Sequence, residues 1–214
     1  MPFDMERLLI AIPPILFALT FHEFAHAWSA KKLGDPTAEN MGRLSLNPLV
    51  HLDPTGTIMI FITVMSGFGI GWAKPVPVDP QNLRNPRRDM LWIALAGPVS
   101  NLILAFAFTA IFTSLTPAEG LTNLFRQMLL IGISINLILA IFNMIPIPPL
   151  DGSKILMGLL PEEQARQYSQ VEMYGPMLLI GLIVADQMLG LGIIRAWISI
   201  PMNFIGQLLF SLFS

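Results

Sequence analysis

The chain has 214 residues, of which 54% are hydrophobic and only 12% charged. A soluble domain is roughly 45–50% apolar and about 25% charged, so the charge deficit points to a membrane protein. A net charge of -2 gives no basis for nucleic-acid binding, and the absence of cysteine excludes a disulfide framework and a thiolate zinc site.

From the amino terminus, residues 8–30 are long and apolar enough to cross a bilayer, which takes about 20 residues of helix. Pro13 and Pro14 lie near the start of this span. It contains Phe-His22-Glu23-Phe-Ala-His26. Residues four apart share one face of a helix. Two imidazoles so placed can grip one zinc ion, with Glu23 as base toward a water on the metal. Ionisable groups at membrane depth are costly and mark a functional site.

Residues 31–51 are polar. Residues 56–72 are apolar and rich in glycine and β-branched residues, and Ala73 to Val78 reads as an extended, proline-punctuated strand. Residues 91–112 and 124–145 form two further spans. The first carries Gly97-Pro98-x-x-Asn101. The second ends in Asn143-x-x-Pro146-x-x-Pro149-Leu-Asp151-Gly152. After a polar helical stretch, residues 176–189 and 193–212 are two carboxyl-terminal spans, which leaves Asp186 near a membrane edge.

A catalytic zinc takes three protein ligands and keeps a fourth position open. His51, Glu162 and Glu163 are available as the third, but Asp151 is the best candidate, at the end of an apolar span in a rigid turn. If Asp151 is to meet His22 and His26, their helices run parallel, with one crossing between them. Residues 91–112 supply it, so the stretch around 56–78 is expected to be re-entrant or a β-hairpin embedded in the membrane. Irregular backbone at that depth survives only where protein or a watery cavity buries it. Residues 31–88 hold seven of the twelve basic residues. The positive-inside rule then puts that region and the zinc site toward the cytoplasm, with the amino terminus outside. Asn101 and Asn143, amides in apolar helices, are candidates to donate to an oxyanion or hold substrate backbone. His51 reads as a residue that ties its own loop.

These motifs, in this order, make the chain resemble the site-2 protease family of intramembrane zinc metalloproteases, in its compact form without a PDZ or nucleotide-binding regulatory domain. The resemblance implies one catalytic zinc held by His22, His26 and Asp151, with Glu23 as general base. It implies a transmembrane protein substrate cut within the bilayer of the cell membrane. It also implies that the strand around Lys74 to Val78 pairs with unwound substrate. The expected fold is an all-α, multi-pass membrane protein, one domain over residues 1–214, with a three-helix core, a re-entrant segment and two carboxyl-terminal helices. The alternatives are a membrane-bound zinc protease acting on soluble or unfolded chains, with a glutamate such as Glu162, Glu163 or Glu172 on the metal, and a non-catalytic metal-binding membrane protein.

Overall fold

The computed structural model describes residues 5–66, 73–116 and 120–213. Helix α1 (Met5–Leu33) runs through Pro13 and Pro14. Each proline withholds one N–H from the helical ladder. The short α2 (Thr37–Asn40) and a 3₁₀ turn at Pro48–Val50 lead to α3 (Pro54–Ser66). Helix α4 (Pro86–Ser114) begins with proline, whose missing N–H costs nothing at a first helical position. Helices α5 (Leu121–Asn143), α6 (Asp151–Leu159), α7 (Glu162–Val171), α8 (Gly175–Leu189) and α9 (Ile193–Ser211) complete the chain.

Five stretches are long and apolar enough to cross a membrane: Leu9–Leu33, Pro86–Ser114, Leu121–Asn143, Glu162–Leu189 and Ile193–Ser211. The first three overlap the expected spans 8–30, 91–112 and 124–145. The fourth stretch is longer than expected, because α7 and α8 join through a 3₁₀ turn at Glu172–Tyr174. Large side chains such as Ile103, Ile200 and Phe204 point outward and are well exposed. An apolar outer surface of this extent suits lipid rather than water.

The contacts fix the helix directions. Along α1, Phe17 stacks near Phe108, His22 meets Asn101 and His26 meets Ile93, so α4 runs antiparallel to α1. Pro14 lies beside Gly132, and Asp151 lies beside both histidines, so α5 runs parallel to α1. This is the arrangement that the parity of crossings requires. Ala105, Ile133, Leu137, Ile141 and Leu209 pack α4, α5 and α9 together. The α8–α9 corner turns through Gly190 and Gly192, both with positive φ. Asp186 has a role there that the sequence did not offer. Buried beside the corner, it accepts from the backbone N–H of Ile193 and Ile194 and caps α9.

The region 56–78 departs from expectation. Among the described residues there is no strand. Residues 56–66 belong to α3, which at about 20 Å is shorter than a bilayer core of roughly 30 Å. Residues 73–78 are extended but make only an isolated antiparallel bridge, Leu52 to Ala73. Pro75 and Pro77 explain this, since neither can donate to a ladder. Residues 67–72 of the expected re-entrant stretch lie outside the described residues.

Candidate metal centre

Helix α1 puts His22 and His26 one turn apart, their ring centroids 4.7 Å from each other. Both are buried, as is Glu23 between them. Asp151 arrives from the far end of α5. A proline-rich turn over residues 144–150 follows α5, and Asp151 is the first residue of α6. Gly152 makes the approach possible: a Cβ there would collide with the carbonyl oxygens of Met144 and Ile145. Asp151 Oδ2 then lies 3.1 Å from His22 Nε2 and 3.3 Å from His26 Nε2.

The hydrogens on the two rings follow from their other contacts. His22 Nδ1 is 2.6 Å from Asn101 Oδ1, and His26 Nδ1 is 2.7 Å from the Ile93 carbonyl oxygen. Both partners are acceptors, so each neutral imidazole keeps its one hydrogen on Nδ1 and leaves Nε2 bare. Asp151 Oδ2 is itself buried without a hydrogen-bond partner. With both rings neutral, three lone-pair donors converge there with nothing of opposite charge among them. A cation at their common point satisfies all three. Zinc takes nitrogen and oxygen ligands at about 2.0–2.2 Å, and tetrahedral ligands at that range sit roughly 3.3 Å apart, close to the observed separations. Among the described residues, His22, His26 and Asp151 form the one group of three such side chains close enough to hold a metal. Glu162, Glu163 and Glu172 do not join it. Glu163 instead pairs with Arg166 on the exposed face of α7.

Gly97 lies against the two rings. A Cβ on it would come within 2.5 Å of His26 Nε2 and 2.6 Å of His22 Cε1. The glycine of the Gly97-Pro98-x-x-Asn101 motif therefore makes room for the histidines.

Glu23 accepts a hydrogen bond at Oε2 from the backbone N–H of Val76, 3.2 Å away. The loop that delivers Val76 is clamped by Arg43, which donates to the Lys74 carbonyl at 2.5 Å and the Pro75 carbonyl at 3.1 Å. Arg43 is buried, and burial pulls its guanidinium below the usual value against the opposing charge of Glu23. His51 donates from Nε2 to the Ser45 carbonyl, presents Nδ1 to Arg43, and accepts from the Lys74 N–H on its own carbonyl. It ties the loop, as its sequence context indicates. Strand pairing with substrate at this segment meets an obstacle. Lys74 and Val76 have spent their N–H groups, and Pro75 and Pro77 have none.

The amides divide. Asn101 is fully buried, and its Nδ2 donates to the Ala18 carbonyl at 3.2 Å and to Asn136 Oδ1 at 2.8 Å. With Oδ1 on His22, both Nδ2 hydrogens of Asn101 are directed at protein acceptors. Asn143 is half-buried and donates to the Leu139 carbonyl one turn back. Sequence reasoning passed over Asn136 and Arg43. An uncharged amide in an apolar helix was the available signal for the first, and a lone arginine beside a glycine for the second.

Helices of membrane-spanning length that bring two histidines and an aspartate to one buried point define a multi-pass membrane protein built to hold a metal ion. The sequence model of peptidase family M50 matches residues 10–129 and 114–185. The chain belongs to peptidase family M50, the site-2 protease family. Among its relatives, YwhC of Bacillus subtilis is 42% identical over 176 residues, 79% of this chain and 78% of that one. Rip2 of Mycobacterium tuberculosis is 31% identical over 182 residues, 82% and 66% of the two chains. Rip2 of Mycolicibacterium smegmatis is 27% identical over 177 residues, 82% and 67%. Each bears the name of a proposed zinc metalloprotease. No solved structure matches.

Proposed function

We propose that this protein is a zinc endopeptidase that hydrolyses peptide bonds of transmembrane protein substrates within the bilayer. His22, His26 and Asp151 hold the metal. The observation that carries the reading is the buried Asp151 Oδ2, without a hydrogen-bond partner and facing two bare Nε2 atoms. The zinc names of the relatives and their shared family support it. When bound, zinc supplies Lewis acidity, polarising a carbonyl and lowering the pKa of water to about 7.

Glu23 is the general base. Val76 fixes its Oε2, which leaves Oε1 to take the proton of the attacking water and pass it to the leaving amine. Burial keeps bulk water from competing for that proton. Asn143, at the end of α5 that leads into the Asp151 turn, is the amide assigned to substrate backbone. The charge asymmetry supports a cytoplasm-facing site with the amino terminus outside, and the short α3 supports a segment around 56–78 that enters the membrane without crossing it.

The test is zinc content and cleavage of a single-span peptide with helix-breaking residues, on one detergent-purified preparation, beside Glu23→Gln. The expected result is zinc near one per chain in both proteins, with cleavage by the parent alone. A parent preparation kept free of chelator and holding no zinc would overturn the reading. Cleavage by Glu23→Gln at the parent rate would overturn the assignment of the base.

A further inference from the structure

Asn136 sits in the middle of α5, fully buried. Its amide orientation can be worked out from the backbone. The carbonyl of Gly132 can only accept, so Asn136 Nδ2 donates to it, at 2.8 Å. That turns Asn136 Oδ1 toward α4, where it accepts from Asn101 Nδ2 at 2.8 Å. Asn101 Nδ2 also donates to the Ala18 carbonyl, at 3.2 Å. With both of its hydrogens directed at acceptors, Asn101 must present Oδ1 to His22, and His22 Nδ1 donates to it at 2.6 Å. The chain of donors runs one way only, from His22 through two amides to a helix carbonyl. It crosses from α1 to α4 to α5.

We infer that Asn136 is a positioning residue for the metal ligand His22, acting through Asn101. The inference rests on the metalloprotease reading of the site. Asn136 holds Asn101 in the one orientation that keeps the His22 proton on Nδ1 and Nε2 bare. Without it, Asn101 is oriented by the Ala18 carbonyl alone. A flipped Asn101 turns its Nδ2 to His22 Nδ1, which must then accept, and the ring's proton moves to Nε2, the atom the metal needs. Water does not substitute for the lost partner readily, since Asn136 and Asn101 are both at 0% exposure.

The experiment compares the parent with Asn136→Leu and Asn136→Asp, as full chains in detergent, by zinc titration against a chromogenic chelator. Leucine keeps the branching of asparagine in a larger volume and has no acceptor. A buried aspartic acid, protonated there, gives its hydroxyl to Gly132 and keeps an oxygen for Asn101. Zinc affinity is expected to fall about 10–100-fold in Asn136→Leu, the usual cost of losing a ligand's hydrogen-bond partner, and to recover most of that in Asn136→Asp. Nitrogen-15 spectra of the histidines, with zinc removed, should show His22 protonated on Nδ1 in the parent and the Nε2–H form appearing in Asn136→Leu. A role in packing alone would lower the melting temperature of both variants and move neither affinity nor tautomer. Equal zinc affinity in the parent and Asn136→Leu overturns the inference, as does an Nε2–H His22 in the parent. If Asn136→Leu does not fold, Asn136→Ala makes the same comparison. A parent that binds no zinc overturns the metalloprotease reading itself, which is a separate result.

Discussion

Replacing Gly97 by alanine tests the packing of the metal centre directly. The new methyl carbon would lie 2.5 Å from His26 Nε2, 2.6 Å from His26 Cε1 and 2.6 Å from His22 Cε1. Carbon atoms in contact settle at about 3.5–4.0 Å, so the rings or α4 must move by roughly 1 Å. The rings cannot yield without cost, because Asn101 and the Ile93 carbonyl pin their Nδ1 atoms. Metal–ligand distances tolerate only about 0.2 Å. A displacement of that size removes at least one ligand, and misplacement by 1 Å at a reacting centre costs on the order of 100-fold in rate. Overpacking itself destabilises by about 1–3 kcal/mol. The assay is zinc affinity by chelator competition, with cleavage of the single-span peptide measured on the same sample. Gly181→Ala on α8 is the control, since no atom lies within 4 Å of its Cβ position. The expected outcome is loss of zinc and of cleavage in Gly97→Ala, with Gly181→Ala like the parent. Stoichiometric zinc at parent affinity in Gly97→Ala would refute the reasoning.

Two further outcomes follow from the loops beside the site. Arg43→Lys removes the fork that grips two successive carbonyls and thereby frees Val76 from Glu23. Cleavage should slow by about 10–100-fold while zinc content stays at the parent level, which metal analysis beside kinetics will read. Asp35 is buried, and burial pushes its carboxyl up. Hydrogen bonds from Thr37, Asn82 and the Asp79 backbone outweigh this and hold it below the usual carboxylate value. A carboxyl lowered by folding stabilises above its unfolded pKa of about 3.9, and that contribution is lost as pH falls through the folded value. Thermal unfolding from pH 6 to pH 3 should show this acid-side loss in the parent and a smaller one in Asp35→Asn, which begins less stable.

Much of this centre was legible in the sequence because its signals are local. A four-residue spacing puts His22 and His26 on one helical face whatever surrounds them, and a proline-rich turn at the end of an apolar span singles out Asp151 as the candidate third ligand. Four of the five membrane-length stretches lie within a few residues of their expected bounds, since length and hydropathy decide what can cross a bilayer. The hydrogen-bonded frame was not readable, because its pairs join distant parts of the chain. Asn101, Asn136 and Asn143 look alike in sequence, each an amide among aliphatics. Only packing shows that the first two face each other and the third bonds back to its own helix. At Ala73 to Val78 the chain is extended but forms no ladder for a local reason: prolines at alternate positions strip one edge of it of donors. What fixes that segment instead is a buried arginine more than thirty residues upstream, a contact no pattern of apolar and polar residues encodes.

The relay through α1, α4 and α5 also bears on how the protein is made. The His22-Glu23-x-x-His26 motif enters the membrane first, but Asn101, Asn136 and Asp151 emerge from the ribosome in that order afterwards. Until α5 is inserted, Asn101 has only the Ala18 carbonyl to orient it, and until the chain turns into α6 the third donor does not exist. A chain halted or misinserted partway carries a complete motif and an incapable site. The complete donor set therefore exists only once α1, α4, α5 and the start of α6 have all come together.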